Sequence, residues 1–234
     1  MDKNLTELVY ILDMSGSMED LTAETIGGYN TLLNEQKQLG RDNPALHANV
    51  TTVLFDDRYI LLHDRANVDS IPELTTKEYS PCGMTAMLDA IGKTLVTVGQ
   101  KLAATPEPER PGLVSVTIIT DGYENASKEY DWVTIRKMIK EQKEKYSWVF
   151  TFIGANIDVE KISEDLGVDK RMAREFSASK RGVDRVFQSV SRGNAEMRYM
   201  ADMDLEDRMM LNALALADIR PDDEDDEDDK DDEE

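Results

Sequence analysis

Apolar and polar positions follow two rhythms along the chain. Three short continuous apolar runs, at residues 8–12, 113–119 and 148–153, have the length expected of strands buried on both faces, and the second is rich in β-branched residues. Residues 50–55 and 58–62 flank Asp56-Asp57, a turn signal that predicts a hairpin whose second strand runs antiparallel at a sheet edge. Between these runs the period lengthens to that of helices. Helices are predicted over 19–39, with acidic residues in the opening turn where the helix dipole favours them, and over 85–102, 131–145, 159–166 and 181–200. In the third of these Asp131 is the expected N-cap, and Trp132, Ile135, Ile139 and Tyr146 approximate one stripe. A weak last strand is expected at 173–176. This alternation predicts an α/β domain with a mostly parallel central sheet of about six strands, one antiparallel edge strand and helices on both faces.

Two stretches fall outside that unit. Residues 205–219 read as an extra helix with Met209, Met210, Ala213, Leu214 and Leu216 on a broad apolar face, expected to pack back onto the domain. Residues 222–234 hold twelve acidic side chains and one lysine, which leaves −10 of the chain's −21 for all other residues. Such a segment cannot bury enough apolar surface to fold, and disorder is expected. The chain thus divides into a domain over 1–200, a helical extension over 201–220 and an acidic tail over 221–234. At 234 residues, 40% of them apolar, the domain can bury a core without disulfides or structural metal. Its charge disfavours direct nucleic-acid binding and docking on an anionic membrane.

Cys82 is the single cysteine, so no disulfide within the chain and no cysteine-based zinc site is possible. A buried or half-buried, small apolar role is expected for it. His47 and His63 read as strand residues without a functional role. There is no basic-then-apolar leader and no apolar stretch near the ~20 residues of a membrane span, so a cytoplasmic protein is expected. Gly27-Gly28, inside the first helix, predicts close packing against the sheet.

The chemistry gathers at strand ends. The first buried run leads into Asp13-Met14-Ser15-Gly16-Ser17, where a carboxylate and two hydroxyls occupy alternate positions as strand becomes loop. The 113–119 run leads into Thr120-Asp121-Gly122, delivering a second carboxylate to the same, C-terminal edge. Cys82-Gly83-Met84-Thr85 opens the second helix with a further hydroxyl, and Thr85 is also a candidate N-cap. In an open α/β sheet, sites form outside the carboxyl ends of the strands. Five oxygen-bearing side chains without sulfur or imidazole form a hard donor set suited to Mg²⁺, Mn²⁺ or Ca²⁺. Two carboxylates balance one divalent charge, and neutral hydroxyls leave the ion able to accept an outside carboxylate.

Asp13-x-Ser15-x-Ser17, then Thr85, then Asp121-Gly122 resembles the metal-ion-dependent adhesion site (MIDAS) of von Willebrand factor type A (vWA) domains, complete at all five positions. The order of strands and helices, including the antiparallel edge hairpin, agrees over residues 5–200. Tyr123-Glu124-Asn125 and Gly154-Ala155-Asn156-Ile157-Asp158 look like features of the compact bacterial cytoplasmic members. The resemblance implies a Rossmann-like fold and a divalent ion, usually Mg²⁺, held by Ser15, Ser17 and Thr85. Asp13 and Asp121 would act directly or through water, and an acidic residue of a partner protein would complete the coordination. Glu124, Asn125 and Asn156 either rim this site and set partner choice or serve as turn residues. The 205–219 helix and the acidic tail are departures on which the family pattern is silent.

The leading expectation is therefore a metal-dependent protein-binding module, not an enzyme, that assembles or regulates a multiprotein system. One alternative is a metal-dependent phosphatase or hydrolase. It is disfavoured because Ser15 stands where an aspartyl-phosphate site would want a second Asp, and because no Gly-rich phosphate loop is present. Another is a scaffold or nucleic-acid mimic acting through the acidic tail. A tail carboxylate occupying the chain's own metal site is a further variant.

Overall fold

The computed structural model describes residues 1–200 and 203–221. The acidic segment 222–234, and the expectation of its disorder, lie outside the described residues. The strands are β1 (Asp2–Asp13), β2 (His47–Phe55), β3 (Tyr59–Asn67), β4 (Pro111–Thr120), β5 (Val149–Gly154) and β6 (Ala173–Glu175). They form one sheet in the order β3-β2-β1-β4-β5-β6, parallel except for the antiparallel β2–β3 pair at one edge. The expected mostly parallel α/β sheet of six strands, with one antiparallel edge strand and helices on both faces, is what the chain adopts.

Period-2 alternation along β1 sends side chains to two cores. Val9 and Ile11 join Val116, Ile118, Phe150 and Phe152 beneath α2 (Met87–Ala104), α3 (Trp132–Tyr146) and α4 (Val159–Leu166). Leu8, Tyr10 and Leu12 join Leu54, Ile119 and Ile153 beneath α1 (Thr22–Asp42) and α5 (Lys180–Tyr199). Asp131 caps α3 by accepting from the Thr134 amide at 2.7 Å. Ile135 and Ile139 form the buried stripe of α3, whereas Tyr146, its last residue, is exposed. No helix among the described residues is long and apolar enough to cross a membrane.

Three expectations change. The first helix begins as a 3₁₀ turn, Gly16–Leu21, before α1 proper. Gly28 meets a helix and not the sheet, since a Cβ there would stand 2.3 Å from Cδ2 of Phe187 on α5, while Gly27 faces open space. The C-terminal helix is α6 (Leu205–Ala215), followed by a 3₁₀ turn, Leu216–Asp218. It packs beside α5, but through Met209, Asn212, Ala215 and Leu216, leaving Met210 and Leu214 exposed. Two local features select that face. Gly193 on α5 lets the Asn212 side chain approach, and Asn212 Nδ2 donates to Thr151 Oγ1 of β5 at 3.0 Å.

Candidate metal centre

The strand order reverses between β1 and β4, the place where an open α/β sheet leaves a crevice at its carboxyl edge. The two strands are in parallel register up to Leu12 and Ile119, which carries Asp13 alongside Thr120. Asp13 Oδ2 accepts from Thr120 Oγ1 at 2.5 Å, and Asp13 Oδ1 accepts from the Ser15 amide at 2.7 Å. The Asp13 carbonyl accepts from the Tyr79 hydroxyl at 2.6 Å. Ser15 Oγ lies 3.1 Å from Ser17 Oγ, and Ser17 Oγ donates to Asp121 Oδ1 at 2.5 Å. Thr85 reaches the same place, because a Cβ on Gly122 would stand 3.3 Å from Thr85 Oγ1 and 3.6 Å from Ser17 Oγ. Three separate segments therefore bring Asp13, Ser15, Ser17, Thr85 and Asp121 together. Among the described residues the Thr85 hydroxyl has no hydrogen-bond partner.

Asp13, Ser15, Thr85 and Asp121 are each no more than 3% exposed, while Ser17 is exposed and marks the open side. Burial pushes the Asp13 carboxyl up to about 6, although hydrogen bonds from Thr120 and Ser15 oppose the shift; the nearby Asp121 charge adds to it. Burial also raises Asp121, against the hydrogen bond from Ser17. Among the described residues neither carboxylate has an ion-pair partner. Two desolvated carboxylates without a counter-charge are costly, and a cation placed between them would remove that cost. The hydroxyl spacing of 3.1 Å is close to the edge, about 3.0 Å, of an octahedron with oxygens about 2.1 Å from Mg²⁺. No group of three or more His, Cys, Asp or Glu side chains with metal-binding geometry occurs among the described residues. The candidate centre is thus one of hydroxyls and two carboxylates, and its donor chemistry fits a hard divalent ion.

The loop carrying Thr85 is braced from both sides. Cys82 N donates to Met14 O at 3.0 Å, Gly16 N to Gly83 O at 3.2 Å, and Ala86 N to Asp56 O at 2.8 Å. These bonds hold residues 82–86 out of the helix, so α2 starts at Met87 with Ala86 as its N-cap. Thr85 is consequently not an N-cap, a correction to one of its two expected roles. Asn125 fixes the Thr85 backbone in both directions: its Oδ1 accepts from Thr85 N at 2.9 Å, and its own amide donates to Thr85 O at 3.0 Å. The Glu124 carboxylate accepts from the amides of Leu88, Ala126 and Ser127 at 2.7–2.9 Å and binds the Ser127 hydroxyl at 2.8 Å. It is committed to the start of α2 and its own turn. Asn156 is exposed in the loop after β5, with a left-handed φ of 57°. Cys82 is exposed, not buried, with its thiol between Arg58 and Asp56.

Several residues that shape the site carry no motif signal. Thr120 could have been found from strand register alone, as the neighbour of Asp13. Tyr79 and Asp89 could not. The Asp89 carboxylate accepts from the amides of Lys128, Glu129 and Tyr130 at 2.9–3.0 Å, stapling the loop after Asp121 to α2 across about forty positions. Met84 and Tyr123, next to Thr85 and Gly122, are about half exposed and give the rim an apolar character.

No known family model matches the chain, and no curated protein matches it either. Solved structures do. A von Willebrand factor type A protein from Catenulispora acidiphila is 14% identical with a TM-score of 0.52, over 84% of this chain and 42% of that one. The PilB minor pilin from Streptococcus sanguinis is 10% identical with a TM-score of 0.60, over 85% and 63%. A manganese-loaded TRAP protein from Plasmodium vivax is 20% identical with a TM-score of 0.50, over 72% and 65%. The chain spans less than two thirds of each of these structures. Such likenesses establish the fold, which is the Rossmann-like fold of vWA domains.

Proposed function

We propose that this protein is a binding module that holds one divalent cation at Asp13, Ser15, Ser17, Thr85 and Asp121, and that a partner protein completes the coordination with an Asp or Glu side chain. Mg²⁺ is the expected ion, with Mn²⁺ and Ca²⁺ as alternatives. The observation that carries this reading is the pairing of two buried carboxylates, lacking any cationic partner among the described residues, with three hydroxyls at one sheet edge. Neutral hydroxyl donors leave the ion a residual positive charge that a partner's carboxylate can satisfy. The exposed Met84 and Tyr123 suit a partner whose acidic residue is flanked by apolar side chains. Binding rather than catalysis is favoured because the one carboxylate that the Ser17 hydroxyl meets, Asp121, is itself a candidate ion ligand and so is committed as a donor rather than as a base. The manganese-loaded TRAP neighbour supports a divalent ion in this fold. The single cysteine suits a reducing compartment, and the module is assigned to the cytoplasm.

The test is titration of the full chain with Mg²⁺ and Mn²⁺ by calorimetry, followed by a Glu-containing peptide flanked by apolar residues. Wild type should bind one ion per chain, and bind the peptide only when the ion is present. Asp13→Ala, shown folded by circular dichroism, should do neither. Equal ion binding by the variant, or peptide binding that persists in EDTA, would refute the reading.

A further inference from the structure

Away from the candidate metal centre, one flank of the molecule is strongly basic. On α5, positions 181, 185, 188 and 192 recur at helical spacing along one stripe, and three of the four are arginines. Residues 180–192 hold four basic and one acidic side chain, a local +3 in a chain whose net charge is −21. Arg185 and Arg192 line a cavity of about 300 Å³ together with Gln188, Ser189, Asp218 and Arg220. Arg220 comes from beyond α6, and its position there is not accidental. Arg192 Nη2 bonds Ala215 O at 2.7 Å and Asp218 Oδ2 at 2.5 Å, which draws the end of the chain's helical extension against α5. The described chain then ends at Pro221, exposed, one residue past an arginine of this cavity. The next thirteen residues carry the twelve carboxylates.

We propose that the arginine face of α5, with Arg220, is a docking surface for the chain's own acidic segment, residues 222–234. Charge complementarity and covalent proximity carry the assignment. Tethering directly at Arg220 gives the segment an effective concentration on the order of millimolar at this face. Screening confines its electrostatics to about 8–10 Å at ordinary salt, so adjacent arginines outweigh the negative charge spread over the rest of the domain. Arginine is also the side chain best matched to carboxylates, through paired N–H donors. The surface is thereby withheld from other polyanions, and the acidic tail is held on the flank, in competition with any use of its carboxylates elsewhere. The inference does not depend on a metal ion.

The experiment uses the full chain with Cys82→Ser and Asp231→Cys, a nitroxide on the new thiol, and ¹⁵N amides, in EDTA. Amide broadening should be centred on residues 181–192 at low salt and be lost in about 0.5 M salt. It should also be lost in Arg181→Glu/Arg185→Glu and weakened in Arg181→Gln/Arg185→Gln, the gentler variant guarding against misfolding. Mixing spin-labelled ¹⁴N chain with unlabelled ¹⁵N chain should abolish it, because the contact is within one molecule. Absence of broadening on α5 overturns the proposal. So does broadening that survives both variants, that persists in the mixed sample, or that centres instead on residues 15–17 and 83–85.

Discussion

The carboxyl edge of β1 and β4 and the outer flank of α5 concentrate charge in opposite ways. At the first, Asp13 and Asp121 are almost wholly excluded from water and have no ion-pair partner among the described residues. On the second, Arg181, Arg192 and Arg220 are exposed and Arg185 is half-buried. Two carboxylates in a low-dielectric crevice interact strongly with whatever enters it, because little solvent screens them. Several guanidinium groups in water interact weakly one by one and are screened by salt. The first arrangement suits a small ion held in a fixed geometry. The second suits a long, charged segment held loosely in many geometries.

The largest effect expected from this contrast is in the pH dependence of stability without metal. Asp13 titrates near 6 in the folded protein and near 3.9 when unfolded. Between those values the folded state binds the extra proton, so stability falls as pH rises through the window from about 4 to 6, by roughly 3 kcal/mol. Asp13→Asn, whose Oδ1 still accepts from the Ser15 amide while its Nδ2 donates to the Thr120 hydroxyl instead of accepting from it, should lose this component. Saturating Mg²⁺, which requires the carboxylate form, should cancel it in wild type and leave the variant unchanged. The measurement is urea unfolding at pH 4, 5, 6 and 7 in EDTA and in Mg²⁺. Identical pH profiles for wild type and variant would mean that the crevice is wetter than its burial indicates, and the contrast with α5 would collapse.

Next in size is the effect of Asn125. It touches none of the charged groups and acts only by fixing the Thr85 backbone. Asn125→Ala should weaken ion binding roughly tenfold, as loss of supporting hydrogen bonds does in metal sites generally. Stability without metal should change much less. Asn125→Asp retains an acceptor for the Thr85 amide and should recover most of the affinity. A variant that binds the ion normally would show that the three bonds from residues 82, 83 and 86 position Thr85 unaided.

Asn125 also shows where sequence reading stops. The convergence of the five candidate positions was legible because four of them lie at or just after strand ends and Thr85 lies in the loop before a helix, each at a fixed spacing to a glycine or to another donor. The groups that hold them were not. Asn125, Glu124 and Asp89 bond backbone amides some forty positions away, and no local pattern encodes such a partner. The strand ends were hidden for a related reason. β1 begins at Asp2 and not with the apolar run, and it passes through Glu7, buried and paired with Arg65 and Thr51. A buried charge interrupts the hydrophobic signal that marks a strand, and only its tertiary partners make it tolerable. The docked face of α6 was legible only in part: Met209 and Leu216 are buried and Ala213 packs against the core, as expected, but Met210 and Leu214 are exposed. Apolar counting selects Met210 and Leu214, whereas the buried position between Met209 and Ala215 is Asn212, a polar residue admitted by Gly193 and by the Thr151 hydroxyl.

The smallest expected effect lies on the arginine flank and sharpens the comparison from its weak side. Arg192 and Asp218 are paired at 2.5 Å, yet their side chains are 47% and 60% exposed. Arg192 lowers the Asp218 carboxyl, but solvent at this exposure screens most of the gain. Asp218→Asn should therefore cost less than about 1 kcal/mol in urea unfolding, and nothing measurable in about 1 M salt. Arg192 keeps its bond to Ala215 O in the variant, so α6 should remain docked on α5. The same substitution removes the acidic side chain of the arginine-lined cavity. If that face holds residues 222–234, losing the Asp218 carboxylate as a competitor should tighten the contact, and the amide broadening on α5 should persist to higher salt than in wild type. A large loss of stability would instead mean that this exposed pair behaves like the buried carboxylates. The two regions would then differ in sign of charge alone, and not in how water controls them.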